Sequence, residues 1–311
     1  MTAPSVAVTG ASGYIGSRVL AALGANGLGL VLNRVGYLPA DRQVEIDLLG
    51  PTTDLVDALL DIDTVIHLAG QNELIANQEP DRALSETIVA ARHVAAAAAE
   101  AGVSRIVYVS TVHVYGESLV DGAEIDETTV PRPTSTYAIA RLACEQLVGQ
   151  AAAHGVDVVV ARLTNAVGAA VDPAVDRWSL VANDLCRQAT TSGTMKLLSS
   201  GMQYRDFVAL ADVVRILAEC AAPHRVPAGT YNLASGRPAT VRALAELVQD
   251  SFERRTGERP PLDAPAPTGA APEPYRVVTD RLDAVASHAS TSLADAVDEV
   301  VAFCLNNEAR L

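Results

Sequence analysis

The sequence predicts an α/β fold built on a doubly wound parallel sheet, and three observations lead to this prediction. Short apolar segments alternate with helical patterns through the first half of the 311-residue chain, as in repeated β-α-β units. The first apolar segment ends in three glycines, and an alanine- and leucine-rich segment follows. With 49% hydrophobic and 19% charged residues, the chain can bury the core of one large domain or of two closely associated lobes.

The elements of the first half follow this alternation in chain order. Apolar segments predict strands at 5–9, 28–33, 43–46, 63–68, 105–110 and 156–161. Helical patterns are found near 14–24, 52–60, 81–101 and 136–153. Residues 1–165 are therefore expected to form a dinucleotide-binding domain of the Rossmann type.

The second half of the chain has a less regular pattern. It predicts a loop at 170–178, a helix at 179–191, a short strand at 195–198, strands at 207–209 and 230–233 that could return to the main sheet, and a helix at 292–305. The six prolines of 256–275 predict an extended loop. We expect 204–235 to rejoin the first domain, and 166–203 with 236–311 to form a smaller substrate-binding lobe.

The glycines after the first strand have the spacing G-x-x-G-x-x-G. Glycine allows the tight turn and lets a pyrophosphate approach the free N–H groups of the following helix. This strand–turn–helix context predicts a dinucleotide site. Its expected residues are Gly10, Ser12, Gly13, Tyr14, Ile15 and Gly16.

The end of the second strand indicates which dinucleotide is bound. NAD-binding proteins place Asp or Glu there to hold the ribose 2′-hydroxyl, whereas an arginine suits the 2′-phosphate of NADP. Here the strand ends in Asn33 and Arg34, and no acidic residue occurs between Gly16 and Asp41. NADP is therefore the expected cofactor, with NAD as the alternative.

Composition limits the partners. The formal net charge of −14 disfavours nucleic acid, so an anionic ligand needs local arginines. No apolar run reaches transmembrane length and no signal-like pattern opens the sequence, so a cytoplasmic protein without a membrane partner is expected. The four cysteines are far apart and form no C-x-x-C pair, which suggests neither a metal site nor a disulfide framework.

A second group of candidate functional residues lies at the start of the helix predicted at 136–153. Tyr137 and Arg141 are four residues apart and so share one helix face. Upstream, the strand ending in Ser110 and Thr111 continues into a polar loop with His113. At these residues the chain resembles the extended short-chain dehydrogenase/reductase family, which processes nucleotide-linked sugars. The resemblance also includes 9–16, Asp47-Leu48, the segment 67–70 (HLAG), the segment 162–168 (RLTNAVG) and the segment 204–208 (YRDFV).

The resemblance implies a role for each matching position. Tyr137 would be the catalytic acid/base, and the hydroxyl of Thr111 would bind the sugar oxygen. The cofactor would also contact Asp47, Leu48, Leu68, Ala69 and Gly70. Asn165 and Arg205 would hold the substrate nucleotide and pyrophosphate, with Arg276 as a second cation. Members of the family usually form homodimers through the helices corresponding to 81–101 and 136–153.

Two positions depart from the family pattern. The family has lysine where this chain has Arg141, and Lys196, the chain's single lysine, lies far along the sequence. The resemblance implies that the cation at this position binds the nicotinamide ribose and lowers the pKa of the catalytic tyrosine. An arginine can keep this electrostatic effect on the tyrosine, because a cation at about 4 Å supplies about 4 kcal/mol at an effective dielectric constant near 20. Family dehydratases carry Asp-Glu after the threonine, whereas Val112-His113 stand here. His113 is either an additional acid/base facing the sugar or a hydrogen-bonded loop residue.

The expected function is therefore an NAD(P)-dependent oxidoreductase for a nucleotide-linked sugar. A ketoreductase of a keto-deoxysugar nucleotide fits the Arg34 observation. An epimerase that retains NAD is the alternative within the same chemistry. A catalytically inactive nucleotide-binding regulatory protein is the alternative of another class, and it is supported by Arg141 alone.

Overall fold

The computed structural model describes residues 5–222, 224–268 and 272–311. Residues 1–4 of the predicted first domain and 269–271 of the predicted proline-rich loop lie outside the described residues. The strands are β1 (Val6–Thr9), β2 (Gly27–Val31), β3 (Gln43–Glu45), β4 (Thr64–His67), β5 (Arg105–Thr111), β6 (Glu124–Ile125), β7 (Asp157–Leu163), β8 (Asn165–Val167), β9 (Met195–Lys196), β10 (Tyr204–Ala209), β11 (Gly229–Leu233), β12 (Pro238–Thr240), β13 (Leu262–Asp263) and β14 (Arg276–Val277).

The helices alternate with these strands through the first half of the chain. They are α1 (Tyr14–Leu23), α2 (Thr52–Ala58), α3 (Glu73–Gln78), α4 (Pro80–Ala101), α5 (Thr136–Gly149), α6 (Val181–Ser192), α7 (Leu210–Ala221), α8 (Val241–Thr256), α9 (Asp280–Asp283) and α10 (Leu293–Asn306). The alanine-rich α4 has proline at its first position and ends before Gly102, whose φ of 79° closes the helix in the left-handed region.

The main sheet has seven parallel strands in the order β11-β7-β5-β4-β1-β2-β3, which confirms the predicted fold class. From β1 the chain runs outward through β2 and β3, and from β4 it runs outward on the opposite side. The direction of winding therefore changes between β1 and β4. Ligands of such sheets bind at this point, outside the carboxyl ends of the strands.

Alternate residues of the strands pack into two different hydrophobic layers. Val8 of β1 faces a layer that contains Val19 of α1 and Val213 of α7. Its neighbour Ala7 faces the opposite layer, with Val94 of α4 and other residues of α4 and α5. Because a strand buried on both faces must be apolar throughout, this packing explains the continuous apolar runs in the sequence.

The second half of the chain corrects one prediction. Residues 207–209 belong to β10, which pairs with β8 and β12 in a separate three-stranded sheet. They do not enter the main sheet, because β11 pairs with β7 along its whole length and occupies that edge. The return of 230–233 to the main sheet is confirmed, since these residues form most of β11.

The second half of the chain contains a separate hydrophobic core. Leu185 of α6, Leu244 of α8 and Val297 of α10 pack together there, with Phe207 of β10. The next residue, Val208, packs into the core of the main sheet. Strand β10 therefore joins the two cores, with alternate side chains in each. All four cysteines are buried, and none is paired in a disulfide bond.

Candidate active site

A cleft of about 480 Å³ lies at the carboxyl edge of the main sheet, where the direction of winding changes. The loops after β1 and β4, the ends of β5 and β7, and the start of α5 form its walls. Of the predicted site residues, it brings together Gly10, Ser12, Gly13, Tyr14, Ile15, Gly16, Leu68, Gly70, Thr111, His113, Tyr137, Arg141 and Asn165.

The glycine loop forms a narrow cradle at one end of the cleft. Gly10 has a φ of +66°, and a Cβ on Gly16 would lie 2.2 Å from the carbonyl oxygen of Gly10. A Cβ on Gly10 would lie 3.0 Å from the backbone nitrogen of Ala69, in the loop after β4. Only glycine fits at such contacts, and α1 begins here without a side-chain cap on its N–H groups. The cradle therefore fits a dinucleotide pyrophosphate.

Tyr137 and Thr111 present two hydroxyl groups to the cleft. Tyr137 is the second residue of α5, whose N-terminus is capped by the side chain of Ser135. In the described part of the chain, the Tyr137 hydroxyl makes no hydrogen bond. Thr111 ends β5, and its hydroxyl oxygen accepts a hydrogen bond from the backbone N–H of His113 at 3.2 Å. The Thr111 O–H therefore remains able to donate to a ligand.

Arg141 lies beneath Tyr137, with its guanidinium carbon 5.3 Å from the centre of the Tyr137 ring. The side chain is buried and donates to the backbone oxygen of Gln71 at 3.4 Å. Its Nε and Nη1 atoms have no partner among the described residues. Gly70 has a φ of +144°, and a Cβ there would lie 3.0 Å from Arg141 Nη1, so this glycine makes room for the guanidinium.

The unpartnered donors of Arg141 fit a ligand, and the neighbouring hydroxyl of Tyr108 likewise has no partner among the described residues. Buried N–H groups that stay unpaired are costly, and the hydroxyls of a ribose would satisfy them. Burial alone would lower the pKa of Arg141, but the neighbouring hydroxyls of Tyr137 and Tyr108 raise it, so the side chain stays cationic. Arg141 can thus place a positive charge beside Tyr137, as the family lysine is expected to do.

His113 lies next to the two hydroxyl-bearing residues. Its ring centre is 6.4 Å from that of Tyr137, and the two rings are inclined at 67°. Burial lowers the pKa of His113, the charge of Arg205 lowers it further, and Glu73 opposes the shift. His113 is therefore neutral near pH 7 and can donate or accept one hydrogen bond within the cleft.

Several predicted residues do not line the cleft. Arg205 donates to the backbone oxygen of Tyr204 at 2.8 Å, and its charge acts on the cleft residue His113. Arg276 pairs with Glu124 at 2.8 Å on the surface. Their substrate contacts stay predictions.

The residues predicted at the adenosine end also lie outside the cleft lining. Asn33 and Asp47 are exposed, and Leu48 follows β3. Arg34 donates to the backbone oxygen of Ala40 at 2.8 Å. Their cofactor contacts likewise stay predictions.

The cleft also contains residues that sequence reasoning missed. Tyr37 donates from its hydroxyl to the backbone oxygen of Ser12 at 2.7 Å and so fixes the loop after β2 against the glycine loop. Glu73 and Arg177 form an ion pair at 3.2 Å across the cleft wall, and Asp176 also lines the cleft. No local motif marks these positions, although Asn72-Glu73 is a recognisable helix start.

Comparison with known proteins identifies the family. The model of the NAD dependent epimerase/dehydratase family matches residues 6–234, a range that contains every residue lining the cleft. The chain belongs to this family. The NAD dependent epimerase/dehydratase family consists of enzymes, which confirms that this chain is an enzyme, whereas the catalytic roles of Tyr137 and Thr111 stay predictions.

Curated relatives in this family cover most of the chain. A dTDP-6-deoxy-L-talose 4-dehydrogenase (NAD(P)(+)) from Kitasatospora kifunensis is 33% identical over 88% of this chain and 86% of its own. A GDP-6-deoxy-D-mannose reductase from Pseudomonas aeruginosa is 30% identical over 78% of each chain. Among solved structures, MoeE5 in complex with UDP-glucose and NAD has a TM-score of 0.81, with 26% identity over 98% of this chain and 99% of its own.

Three further expectations concern partners. In the described ranges, no helix is long and apolar enough to cross a membrane, and no group of His, Cys, Asp and Glu could hold a metal ion. Helices α4 and α5 pack against each other on the face of the main sheet that carries Ala7. The homodimer expected through these two helices stays a prediction.

Proposed function

We propose that this protein is an NADP-dependent ketoreductase of a nucleotide-linked keto-deoxysugar. The observation that carries the proposal is one cleft that holds the glycine cradle together with Tyr137, Thr111 and Arg141. The names of the Kitasatospora dehydrogenase and the Pseudomonas reductase, both of which act on 6-deoxy sugars linked to nucleotides, support it.

Each residue has a distinct task in this reaction. The nicotinamide, when bound, supplies the hydride that reduces the keto carbon. Thr111 and Tyr137 donate hydrogen bonds to the keto oxygen, and Tyr137 transfers its proton to that oxygen as the carbon is reduced. Arg141 stabilises the phenolate that remains, and its unpartnered N–H groups orient the nicotinamide ribose. The product is the alcohol, and a proton from solvent converts the Tyr137 phenolate back to the phenol.

An epimerase with retained NAD is the second candidate. It is favoured by a UDP-glucose 4-epimerase from Azospirillum brasilense that is 28% identical over 85% of this chain. Denaturing the purified protein and identifying the released nucleotide separates the candidates. Stoichiometric NAD supports the epimerase, whereas empty protein that oxidises NADPH with a 4-keto-6-deoxysugar nucleotide supports the ketoreductase. The absence of both would favour the inactive regulatory alternative.

Arg34→Ala is expected to weaken NADPH binding about tenfold or more and to leave NADH binding within about twofold. A charge-assisted hydrogen bond to the 2′-phosphate contributes about 1.5–3 kcal/mol, and NADH lacks that phosphate. Titration of cofactor fluorescence measures both dissociation constants. Arg254→Ala, an exposed arginine on α8, is the matched control and should change neither. Equal or tighter binding of NADH by the unmodified protein would contradict the assignment.

Arg205→Ala is expected to raise the KM for the nucleotide sugar by about tenfold or more. In an acidic protein a local guanidinium is needed to hold a pyrophosphate, and Arg205 lies close enough to shift the pKa of His113 in the cleft. The dissociation constant of NADPH should stay unchanged, because the glycine cradle binds the cofactor. Steady-state kinetics and a separate NADPH titration provide the two measurements, and an unaltered KM would remove Arg205 from the site.

A further inference from the structure

Glu73 has a fixed position on the cleft wall. It is the first residue of α3, and the side chain of Asn72 caps that helix by accepting hydrogen bonds from the backbone N–H groups of Leu74 and Ile75 at 3.0 Å. The Glu73 carboxylate lies 3.2 Å from the guanidinium of Arg177, which belongs to the loop before α6. Glu73 is therefore fixed at its backbone by the capped helix start and at its carboxylate by the ion pair with Arg177.

The charge on Glu73 persists at neutral pH. Burial alone would raise its pKa, but the guanidinium of Arg177 and a backbone N–H hold it below the ordinary value for a glutamate. An ionised carboxylate accepts hydrogen bonds and donates none. Asp176 also lines the cleft, so its lining carries these two carboxylates and the guanidinium of Arg177, of which Nη2 pairs with Glu73 and Nη1 has no partner among the described residues.

Glu73 lies on the part of the cleft that the sugar of a bound substrate would approach. Glu73 lines the same cleft as His113 and Tyr137, and its charge acts on His113, which lies next to Tyr137 and is also influenced by Arg205. Under the proposed function, on which this step rests, a sugar extends from a pyrophosphate at Arg205 to a keto carbon at Tyr137. Such a sugar passes His113 and comes within reach of the Glu73 carboxylate.

We infer that Glu73 determines specificity by accepting a hydrogen bond from a hydroxyl or amino group of the sugar and by rejecting sugars that carry a carboxylate. The carboxylate of a uronate would lie within a Debye length of the Glu73 carboxylate. Because the cleft is partly buried, salt would screen the repulsion between these two anions little. Neutral and amino sugars are thus the substrate class, and hexuronates are excluded.

The test compares a hexose and the matching hexuronate on the same nucleotide. Titration calorimetry with UDP, dTDP and GDP first selects the base that binds best in the presence of NADP. The glucose and glucuronate conjugates of that diphosphate are then titrated, and the ratio of their dissociation constants is the readout. We expect the unmodified protein to favour the glucose conjugate at least tenfold.

Two variants distinguish a charge effect from a structural one. E73Q should lower the ratio at least fivefold, because the repelling charge is gone. R177Q should raise it, because the guanidinium no longer compensates the Glu73 charge. E253Q, an exposed residue of α8, should leave the ratio unchanged.

The outcomes that contradict the inference differ from the one that contradicts the proposed function. A ratio near one in the unmodified protein, no change in E73Q, or a shift of E73Q and R177Q in the same direction overturns the inference alone. Failure of every nucleoside diphosphate and nucleotide sugar to bind overturns the proposed function, and the inference with it.

Discussion

Tyr137→Phe is expected to abolish turnover, with kcat falling by about a thousandfold or more. Reduction of a keto group needs a proton on the oxygen, and Tyr137 is the cleft hydroxyl that lies over the cation of Arg141. Positioned general acids contribute about 10²–10⁴-fold to rates. The variant should fold normally, since within the described chain the Tyr137 hydroxyl has no hydrogen-bond partner to lose. Consumption of NADPH measures turnover, and circular dichroism measures folding.

The matched control is Tyr231→Phe. Tyr231 lies on β11, and its hydroxyl donates to the backbone oxygen of Pro227 at 2.9 Å, away from the cleft. Its loss should cost about 1 kcal/mol of unfolding free energy and leave kcat within about twofold. Near-normal turnover by Tyr137→Phe, or loss of NADPH binding in that variant, would contradict the role given to Tyr137.

The catalytic part of the cleft was predictable because its signals are local. The glycine spacing, the position of Thr111 at the end of a strand, and the four-residue spacing of Tyr137 and Arg141 each concern a short segment. Parallel strands bring their carboxyl ends to one edge, so local motifs at strand ends meet in space. Thus most of the predicted catalytic and glycine-loop residues line one cleft.

The remaining wall depends on contacts that are distant in sequence. Glu73 and Arg177 are 104 residues apart, and neither lies in a sequence motif that predicts its partner.

Helix α7 is a different case, because its apolar residues Val213, Ile216, Leu217 and Cys220 follow the spacing of an amphipathic helix. This helix was missed although its signal is local and present in the sequence.

A buried ion pair underlies the catalytic helix. Arg162 of β7 donates to both carboxylate oxygens of Glu145, at 3.1 and 2.7 Å, and the Ser110 hydroxyl donates to Glu145 at 2.5 Å. Glu145 is on α5, one turn beyond Arg141, and both partners are almost fully buried. Glu145→Ala leaves a buried guanidinium without its partner. We expect it to lower the free energy of unfolding by about 3–5 kcal/mol.

Denaturant unfolding measures this loss, and a double variant tests its cause. Replacing Glu145 by Leu together with Arg162 by Met should recover much of the stability, because an apolar pair needs no compensating charge. Glu124→Ala breaks the exposed pair with Arg276 and should cost less than about 1 kcal/mol. Ser110 is adjacent to Thr111, and Glu145 lies one helical turn after Arg141. The hydrogen bond between Ser110 and Glu145 therefore connects the segments that carry these two site residues. The double variant lacks this bond, so it should stay folded yet lose activity. A stable and fully active Glu145→Ala protein would show that packing alone positions α5.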